Sequence, residues 1–482
     1  MTSALLWIFL PATLGLALLF FRRAGNFSIA AALGLTVFLT FAAWQLPIDT
    51  VLQLGPFSIE ISPTLNLFGR AFTLAEADRP LLAFIYLMQS LWVLGAALAR
   101  PRPLFVPISL LAVGLFVAAL SVEPFLYAAL IIAVVALIFI PLLVPPGKPA
   151  GRGVLRFLIF QLFAVPFILF TGWMLTGVEA SPGNFNLVLR AGVLLALGFT
   201  FLMALFPFHS WVPMMAEETH PYFFGFLIFF LPTIAALFLL SFLDRYAWLR
   251  DSDFVYQLLL LAGTLAVLFG GLSAAGQRNL GRIYAYAAMA GVGTNLQALG
   301  LGGIDGIQVF FALLLPQALA MWLLVVPLAV FWGENKQSLR LKPVQQSMMS
   351  HPLFSAVMLV AIFSLAGLPS LASFPAHLSL WRGIAAFSPW ALLASLLGAL
   401  GLISVGLRLL FTWLAAYEVK SKGSAQEDEA GKINKASLDL TNLYSWAFCI
   451  LGIGGLLGYG LLPRLFLSAV PALSARFPQL FP

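Results

Sequence analysis

The sequence predicts an all-α integral membrane protein with about fourteen transmembrane helices. Hydrophobic residues make up 62% of the chain and charged residues only 9%, whereas soluble domains carry roughly 25% charged residues. The mean hydropathy is +1.02. The apolar runs are long, lack strict apolar–polar alternation and reach the ~20 residues that a membrane helix needs. Because backbone facing lipid must be hydrogen-bonded within helices or a closed barrel, these runs indicate helices.

The apolar runs give the order of the helices along the chain. They lie near residues 3–21, 27–44, 81–99, 103–121, 124–145, 154–176, 187–206, 222–243, 256–275, 282–301, 306–332, 353–375, 387–415 and 441–463. The first run lacks a basic leading region and a small-residue cleavage site, so we interpret it as a retained span. Residues 45–80 form a long connection whose alternating stretches could pair as a hairpin. Residues 416–440 are polar and mixed in charge, which is typical of a flexible loop.

The basic residues predict the orientation in the membrane. Placing the first loop in the cytoplasm gives that side most of the lysines and arginines, sixteen against seven. This distribution satisfies the positive-inside bias and puts both termini outside, as an even number of helices requires. We therefore expect a multi-pass protein of a prokaryotic cytoplasmic membrane, surrounded by lipid. The net charge of +7 reflects this orientation, and we expect no nucleic-acid partner.

Cysteine usage argues against redox chemistry in this chain. The single cysteine, Cys449, excludes an intramolecular disulfide and a cysteine-built metal site. The sequence contains no CxxC motif and no glycine-rich phosphate loop that follows a strand. We therefore predict no cofactor and no metal site.

Two of the predicted helices are interrupted. The helix breakers are Pro207 in the first and Gly367, Pro369 and Pro375 in the second. A histidine follows each break, His209 in one case and His377 in the other. Pairs of interrupted helices in corresponding halves are typical of a mid-membrane site between inverted repeats. The alternative is that the prolines only shape helix packing, since proline is common in membrane helices.

Four stretches, in order, carry a resemblance to a known family. They are "PFHSWVP", followed by an acidic residue and then a proline, "RNLGRIYAYAAMAGVG", "PQALAMWLLV" and "SLAGLPSLASFPAH". They are similar to the motifs PxHxWLPDA, D-x-KR-x-x-AYSSxSHxG, HAxxKAxLF and SLxGxPPxxGFxxK of the antiporter-like proton-conducting membrane subunits. Those subunits belong to respiratory complex I, membrane-bound hydrogenases and Mrp-type cation/proton antiporters. The resemblance covers roughly residues 100–415 and identifies the chain as a divergent member.

The resemblance implies two inverted five-helix repeats, each with a broken helix. We assign residues 100–245 to the first repeat and 246–415 to the second. Residues 1–99 precede them, and 416–482 form a polar cytoplasmic loop and a last helix. The family also implies protons or sodium as the transported ion and other membrane subunits as partners. The chain would be at most a subunit of an NADH:quinone oxidoreductase-like or hydrogenase-like complex.

The sequence departs from the family at the positions that carry protons. The family's lysine before the helix-breaking proline falls on Leu202, and the histidine of the following helix falls near Ile228. In the HAxxK motif, the histidine falls on Gln317 and the lysine on Met321. Leucine, isoleucine and methionine bind no proton, and an amide does so only far from physiological pH. His377 alone keeps a titratable group, where the family has lysine or glutamate.

Other polar residues are further candidates for an ion path. Arg382, Glu217, Glu218 and His209 could line such a path. Carboxylates on a loop are ordinarily just solvated, and His209 could cap backbone groups freed at the first break rather than carry protons. Arg408 lies about midway along an apolar run, where an arginine needs a partner. Glu418 and His377 are possible partners.

Three functions remain open from the sequence. The chain could be an antiporter-like subunit of a complex-I-related or Mrp-related assembly that moves protons or sodium through a reduced path centred on His377. It could instead be a structural subunit that docks partners and conducts nothing. An unrelated transporter of a small organic substrate would require a wide polar cavity between the two helix breaks.

Overall fold

The structure is a computed structural model that describes residues 2–21, 25–54, 57–67, 69–144, 146–147, 149–180, 185–335, 337–424 and 440–480. A π-helical turn, Leu5–Phe9, leads into the first α-helix. The first ten helices are α1 (Leu10–Phe20), α2 (Gly25–Gln45), α3 (Arg79–Ala99), α4 (Phe105–Ser121), α5 (Ala128–Ile138), α6 (Ile140–Leu143), α7 (Arg152–Ala180), α8 (Phe185–Leu202), α9 (Trp211–Glu218) and α10 (Pro221–Arg245). The others are α11 (Ala247–Arg250), α12 (Asp253–Gly276), α13 (Leu280–Gly300), α14 (Gly303–Glu334), α15 (Leu341–Ser350), α16 (Pro352–Leu365), α17 (Phe374–Phe387), α18 (Pro389–Ser424), α19 (Leu440–Leu461), α20 (Pro463–Leu467) and α21 (Val470–Ser474).

The chain is an all-α integral membrane protein that crosses the membrane several times. Within the described ranges, nine helices are long and apolar enough to span, and the pair α15 and α16, bent by 118°, counts as a tenth. Each apolar run predicted from the sequence contains a helix. The prediction missed the short helices α9, α15 and α17, because pieces of 8 to 14 residues lack the long apolar run used to recognise a span.

Two helices form the centre of the bundle. The most apolar stretch of α10 is 94% buried inside the protein and that of α14 is 83% buried, whereas the corresponding stretch of α19 is only 22% buried. A helix that is hydrophobic on all sides suits such a central position, since every face meets other side chains. The remaining long helices pack around α10 and α14 and turn one face to lipid.

The connection between α2 and α3 forms two hairpins, as its alternating pattern allowed. Strands β1 (Val51–Leu54) and β2 (Phe57–Glu60) pair antiparallel. Strands β3 (Thr64–Leu67) and β4 (Arg70–Thr73) also pair antiparallel, and β5 (Val122–Glu123) adds to β4. Ser3 Oγ donates to Pro63 O over 2.9 Å, which fixes the start of the chain against this sheet.

One end of the bundle carries a cluster of eight described basic residues, and we call it the basic end. They are Arg100, Arg102, Arg152, Arg156, Arg278, Arg282, Arg340 and Lys342. Both described chain ends lie at the opposite end. There, Ser3 contacts the β-sheet, and Gln479 N donates to Asp244 Oδ1 near the end of α10 over 2.8 Å. The predicted polar loop falls mainly on residues 425–439, which lie outside the described residues.

Candidate functional site

The two helix breaks have the same backbone geometry. After α8, Ala204 has φ 56°, and after α16, Gly367 has φ 73°. Leu205 N donates to Thr200 O over 3.0 Å, and Leu368 N donates to Phe363 O over 3.1 Å. These bonds, from the residue after a left-handed cap to a carbonyl five residues earlier, are typical of a Schellman helix end. The equivalent residues are separated by a constant 163 positions.

This correspondence shows that the two histidines are not equivalent residues of the two breaks. Applying the separation of 163 positions, His209 corresponds to Ala372, and His377 corresponds to Met214. The histidines therefore occupy different places relative to their breaks, although both follow one in the sequence.

A small cavity touches both breaks. Its volume is about 30 Å³, which is room for about two or three waters, since each needs ~10–15 Å³. Asn295 lines it, is 7% exposed, and its Oδ1 has no hydrogen-bond partner among the described residues. The rest of the lining is Met203, Ile228, Phe229, Pro232, Thr233, Ala236, Ala288, Gly291, Val292, Leu296, Gln317, Met321 and Leu365. A small organic substrate does not fit in this space.

Neutral side chains connect the helices beside this cavity. Gln317 Nε2, on α14, donates to Thr294 Oγ1 over 2.7 Å and to Gly291 O over 3.3 Å, both on α13. On another side of α13, Gln297 Nε2 donates to Thr264 Oγ1 of α12 over 3.0 Å and to Ser395 Oγ of α18 over 2.6 Å. Amide and hydroxyl groups therefore join four helices across the interior of the second half of the bundle.

The three apolar replacements are all buried. Leu202 is 1% exposed, Ile228 2% and Met321 5%, and the last two line the small cavity. Their side chains are surrounded by other apolar groups, so they pack as core residues.

His377 is buried at the second break. It is 4% exposed, and its Nδ1–H donates to Ser373 O over 2.8 Å. With Nδ1 as the donor, Nε2 is the free acceptor of the neutral ring. Gly367 lies so close that a Cβ there would come within 3.0 Å of the His377 ring. Among the described residues, no hydrogen bond joins His377 to Gln317 or to Arg382, which is exposed on α17.

The first break leads into α9, which holds the two acidic candidates. Glu217 and Glu218 lie in its last turn rather than on a loop. Glu217 forms an ion pair with Arg282 of α13. Glu218 Oε2 accepts a hydrogen bond of 2.8 Å from Gly153 N in the first turn of α7, where a carboxylate is favoured. Both carboxylates therefore anchor α9 to neighbouring helices.

His209 and Arg408 differ from the sequence expectations. The Nδ1 of His209 is buried without a hydrogen-bond partner among the described residues, and its ring stacks on Phe206, so its described contacts do not include the capping bond considered from the sequence. Arg408 donates to Ala275 O over 2.5 Å and to Gln277 O over 2.6 Å. Its described partners are thus carbonyls at the end of α12, where a cation is favoured. Of the two partners considered from the sequence, His377 makes no hydrogen bond to Arg408 among the described residues, and the side chain of Glu418 lies outside them.

With this geometry described, comparison with known proteins identifies the family. A family model described as "NADH:quinone oxidoreductase/Mrp antiporter, TM" matches residues 157–402, just over half of the chain. The chain belongs to this family. The matched region contains both helix breaks, the small cavity and the neutral side chains beside it.

Several relatives of this antiporter-family chain are known. It is 25% identical over 410 residues to NADH-quinone oxidoreductase subunit 13 of Thermus thermophilus, covering 80% of this chain and 81% of the relative. It is 28% identical over 204 residues to NADH-quinone oxidoreductase subunit N of Rhodospirillum rubrum, covering 42% and 41%. For a subunit N of Pelagibacter ubique, the match spans 51% of the relative's length. The chain thus spans about half the length of several relatives.

Solved structures share the fold across nearly the whole chain. A chain of respiratory complex I from Thermus thermophilus with bound NADH has a TM-score of 0.71 at 21% identity, with 100% of both chains covered. A chain of the Mrp complex from Dietzia sp. DQ12-45-1b has a TM-score of 0.72 at 16% identity, with 99% of both covered. At these identities the likeness concerns the fold.

Sequence reasoning missed the hydroxyl partners of the interior amides. Thr264, Thr294 and Ser395 stand in long apolar runs, where a hydroxyl usually bonds to the carbonyl one turn earlier on its own helix. Each of them does so here as well, and each also accepts from a glutamine on another helix. Only the three-dimensional packing reveals this second role.

Proposed function

We propose that this chain is an antiporter-like membrane subunit of a complex-I-related or Mrp-related assembly in which its own ion conduction is reduced or lost. The observation that carries this proposal is the chemistry beside the small cavity. The interior polar groups there are amides and hydroxyls, and Leu202, Ile228 and Met321 are packed among apolar side chains.

The physical argument concerns how a proton would cross this region. A relay needs groups that take up and release a proton near physiological pH, and a buried lysine or glutamate can do so because burial shifts its pKa. A glutamine amide or a threonine hydroxyl cannot. A cavity of about 30 Å³ holds too little water to replace them. The hydrogen bonds of Gln317 and Gln297 serve instead to fix the helices to one another.

We further propose the architecture that the family resemblance implies: fourteen spans, two inverted repeats over residues 100–245 and 246–415, and both termini outside. The constant separation of 163 positions at the two breaks supports a repeat. The directions support inversion. The equivalent helices are α8 and α16: α8 leads into α9, which ends at Glu218 beside the basic end, whereas α16 begins at that end next to His351. The basic end would face the cytoplasm of a prokaryote, following the positive-inside bias.

The expected partners are other membrane subunits. The relatives are named as subunits of an NADH-quinone oxidoreductase, and two neighbours in fold come from multi-subunit complexes. This chain would occupy such a position, with lipid on its remaining faces and protons or sodium moved elsewhere in the assembly.

Reconstitution tests the main proposal. The purified chain would be placed in liposomes loaded with a pH-sensitive dye, and a proton or sodium gradient would be imposed. We expect the gradient to decay as slowly as in protein-free liposomes. A family member that has lysine at the positions of Leu202 and Met321 serves as the conducting control. Decay at a rate similar to that control would overturn the proposal.

A second candidate is a residual proton path through His377. The supporting observation is that Nε2 of this buried histidine makes no hydrogen bond among the described residues, while its Nδ1–H donates to Ser373 O. Ser373 Oγ in turn lies 3.3 Å from Ser364 Oγ. If the wild type does conduct, His377→Ala should abolish the flux. His209→Ala, a half-buried histidine at the other break, should leave it unchanged. Equal loss in both variants would exclude this path.

A further inference from the structure

The connection between α3 and α4 lies between two large cavities at the basic end. One has a volume of about 1220 Å³ and the other of about 1150 Å³. Arg100 and Arg102 line both of them. Each cavity exceeds the ~300–1,000 Å³ typical of small-molecule pockets. Neither contains the helix breaks, and the second contains none of the ion-path candidates.

The second cavity is an apolar groove that opens to the membrane. We call it the arginine groove, and it runs between α2, α3, α14 and α19. Its walls include Leu91, Leu94, Leu319 and Leu451. Leu94 is 46% exposed and Leu451 74% exposed, so hydrocarbon from the surrounding bilayer can enter from the side. The two arginines close the groove at the basic end.

Arg102 contributes a positive charge that the described side chains do not neutralise. Its Nη1 is buried without a hydrogen-bond partner among them. The two carboxylates that line the neighbouring cavity are engaged elsewhere. Glu218 accepts from Gly153 N over 2.8 Å, and Glu334 Oε1 lies 2.6 Å from His351 Nε2.

An electrostatic effect of Arg102 is visible at His220, which lies beside the same cavity. Burial, and then the positive charge of Arg102, lower the pKa of His220 to about 4. The guanidinium field therefore extends into the space between these helices, where an anion would be attracted.

The backbone of Arg100 adds an independent observation. This residue ends α3 in the left-handed conformation, with φ 43°. Glycine adopts that conformation more readily than a residue with a side chain. The turn nevertheless carries an exposed arginine, and it directs the chain so that Arg100 and Arg102 line the same groove.

We propose that the arginine groove binds one anionic phospholipid. The phosphate lies against Arg100 and Arg102, and an acyl chain runs along Leu94 and Leu451. Guanidinium groups form charge-assisted hydrogen bonds with phosphate oxygens, and basic pockets between membrane helices bind anionic headgroups. The site does not depend on whether the chain conducts ions, because none of its residues belongs to the candidate path.

Lipid retention tests this site. The full-length protein would be exchanged into phosphatidylglycerol or phosphatidylcholine with identical acyl chains, and bound lipids would be counted by native mass spectrometry. We expect phosphatidylglycerol to be retained preferentially. Arg102→Gln should weaken its retention about fivefold, the effect of one arginine near an anionic surface. Arg100→Gln, at an exposed position, should act similarly even if Arg102→Gln folds poorly.

Matched controls separate this site from general surface charge. Arg278→Gln removes an exposed arginine at the same end that lines neither cavity, and it should leave retention unchanged. Leu451→Trp fills the groove and should reduce retention of both lipids. Equal retention of the two lipids by the wild type, or equal losses in Arg278→Gln and Arg102→Gln, would overturn the proposal. The proposal would also be overturned if inorganic phosphate raised the thermal stability as much as phosphatidylglycerol does. Lipid retention by Leu451→Trp equal to that of the wild type would overturn it as well.

Discussion

Gln317 Nε2 donates to Thr294 Oγ1 over 2.7 Å and so joins the central helix α14 to α13. The resemblance to antiporter-like subunits places a histidine at the position of Gln317. On the proposed function, a side chain that could carry a proton is replaced here by one that makes a hydrogen bond between helices. Together with Gln297, which joins α13 to α12 and α18, it makes this half of the bundle a connected unit.

Removing the Thr294 hydroxyl should destabilise this unit. Thr294→Val deletes the acceptor of the Gln317 amide, and we expect a loss of about 1 kcal/mol in the free energy of unfolding, within the range of hydrogen bonds between membrane helices. Denaturation in mixed micelles followed by circular dichroism measures it. Thr200→Val is the matched control, since within the described residues its exposed hydroxyl bonds to Ala196 O on its own helix and to no other helix. Equal losses in the two variants would show that the contact between α13 and α14 contributes nothing.

A buried ion pair at the end opposite the basic end should contribute more to stability than the bond between Gln317 and Thr294. Arg476 Nη1 lies 2.7 Å from Asp78 Oδ1, and the side chains are only 12% and 11% exposed. Arg476 also donates to Leu120 O, so the last segment of the chain is fixed to α3 and α4. Asp78→Asn leaves the guanidinium without its counter-charge, and breaking a buried pair on one side costs about 3–5 kcal/mol.

The control for this ion pair is an exposed one at the same end. Arg245 Nη1 lies 3.2 Å from Glu123 Oε2, with the side chains 53% and 46% exposed. Glu123→Gln should cost less than about 1 kcal/mol, because water screens the pair. The two variants are compared by their unfolding midpoints in the same detergent. A midpoint for Asp78→Asn no lower than for Glu123→Gln would contradict the prediction.

The sequence was sufficient for the fold class and the helix breaks, because those signals are local. Long apolar runs predict membrane helices wherever they occur, and Gly367 follows α16 in the left-handed conformation that glycine favours. Pro207 marks the first break only approximately, since α8 ends at Leu202 and the left-handed residue there is Ala204. The family resemblance places protonatable groups at Leu202, near Ile228 and at Met321, and this assignment stays a prediction. The structure shows that all three side chains are buried.

The partners of the polar residues could not be predicted, because they are distant along the chain. Arg408 bonds to carbonyls more than 100 residues earlier. Every residue has a carbonyl, so nothing in the sequence marks Ala275 and Gln277 as its acceptors. Glu218 likewise reaches the backbone of Gly153. The sequence therefore reveals which polar groups are costly to bury in a membrane, but their folded environment determines how each is satisfied.

Burial of His220 should make stability depend on pH. Burial and Arg102 lower its pKa from 6.5 to about 4. Since the unfolded chain binds this proton more readily, stability from His220 is fully present above pH 6.5 and is lost as pH falls toward 4. The loss is about 3 kcal/mol by linkage. Comparing unfolding free energies at pH 7.5 and 4.5, we expect His220→Gln to have a smaller difference than the wild type. An unchanged difference would mean that other groups cause the pH dependence.

The contact between α12 and α18 should tolerate no side chain at Gly271. A Cβ at this position would lie 2.0 Å from Gly398 O, a backbone atom that cannot move aside alone. Gly271→Ala should therefore separate the two helices and lengthen the bonds from Gln297 to Ser395 and from Arg408 to the end of α12. Such overpacking typically costs about 1–3 kcal/mol.

Gly276 gives the control on the same helix, because a Cβ there has no neighbour within 4 Å. We expect the free energy of unfolding of Gly276→Ala to lie within about 0.5 kcal/mol of the wild-type value, as is usual for substitutions away from packed contacts. Cysteines introduced at exposed positions of α12 and α18 would report the distance between the helices by spin labelling. If Gly271→Ala keeps both the wild-type distance and the wild-type stability, the close glycine contact does not hold these helices together.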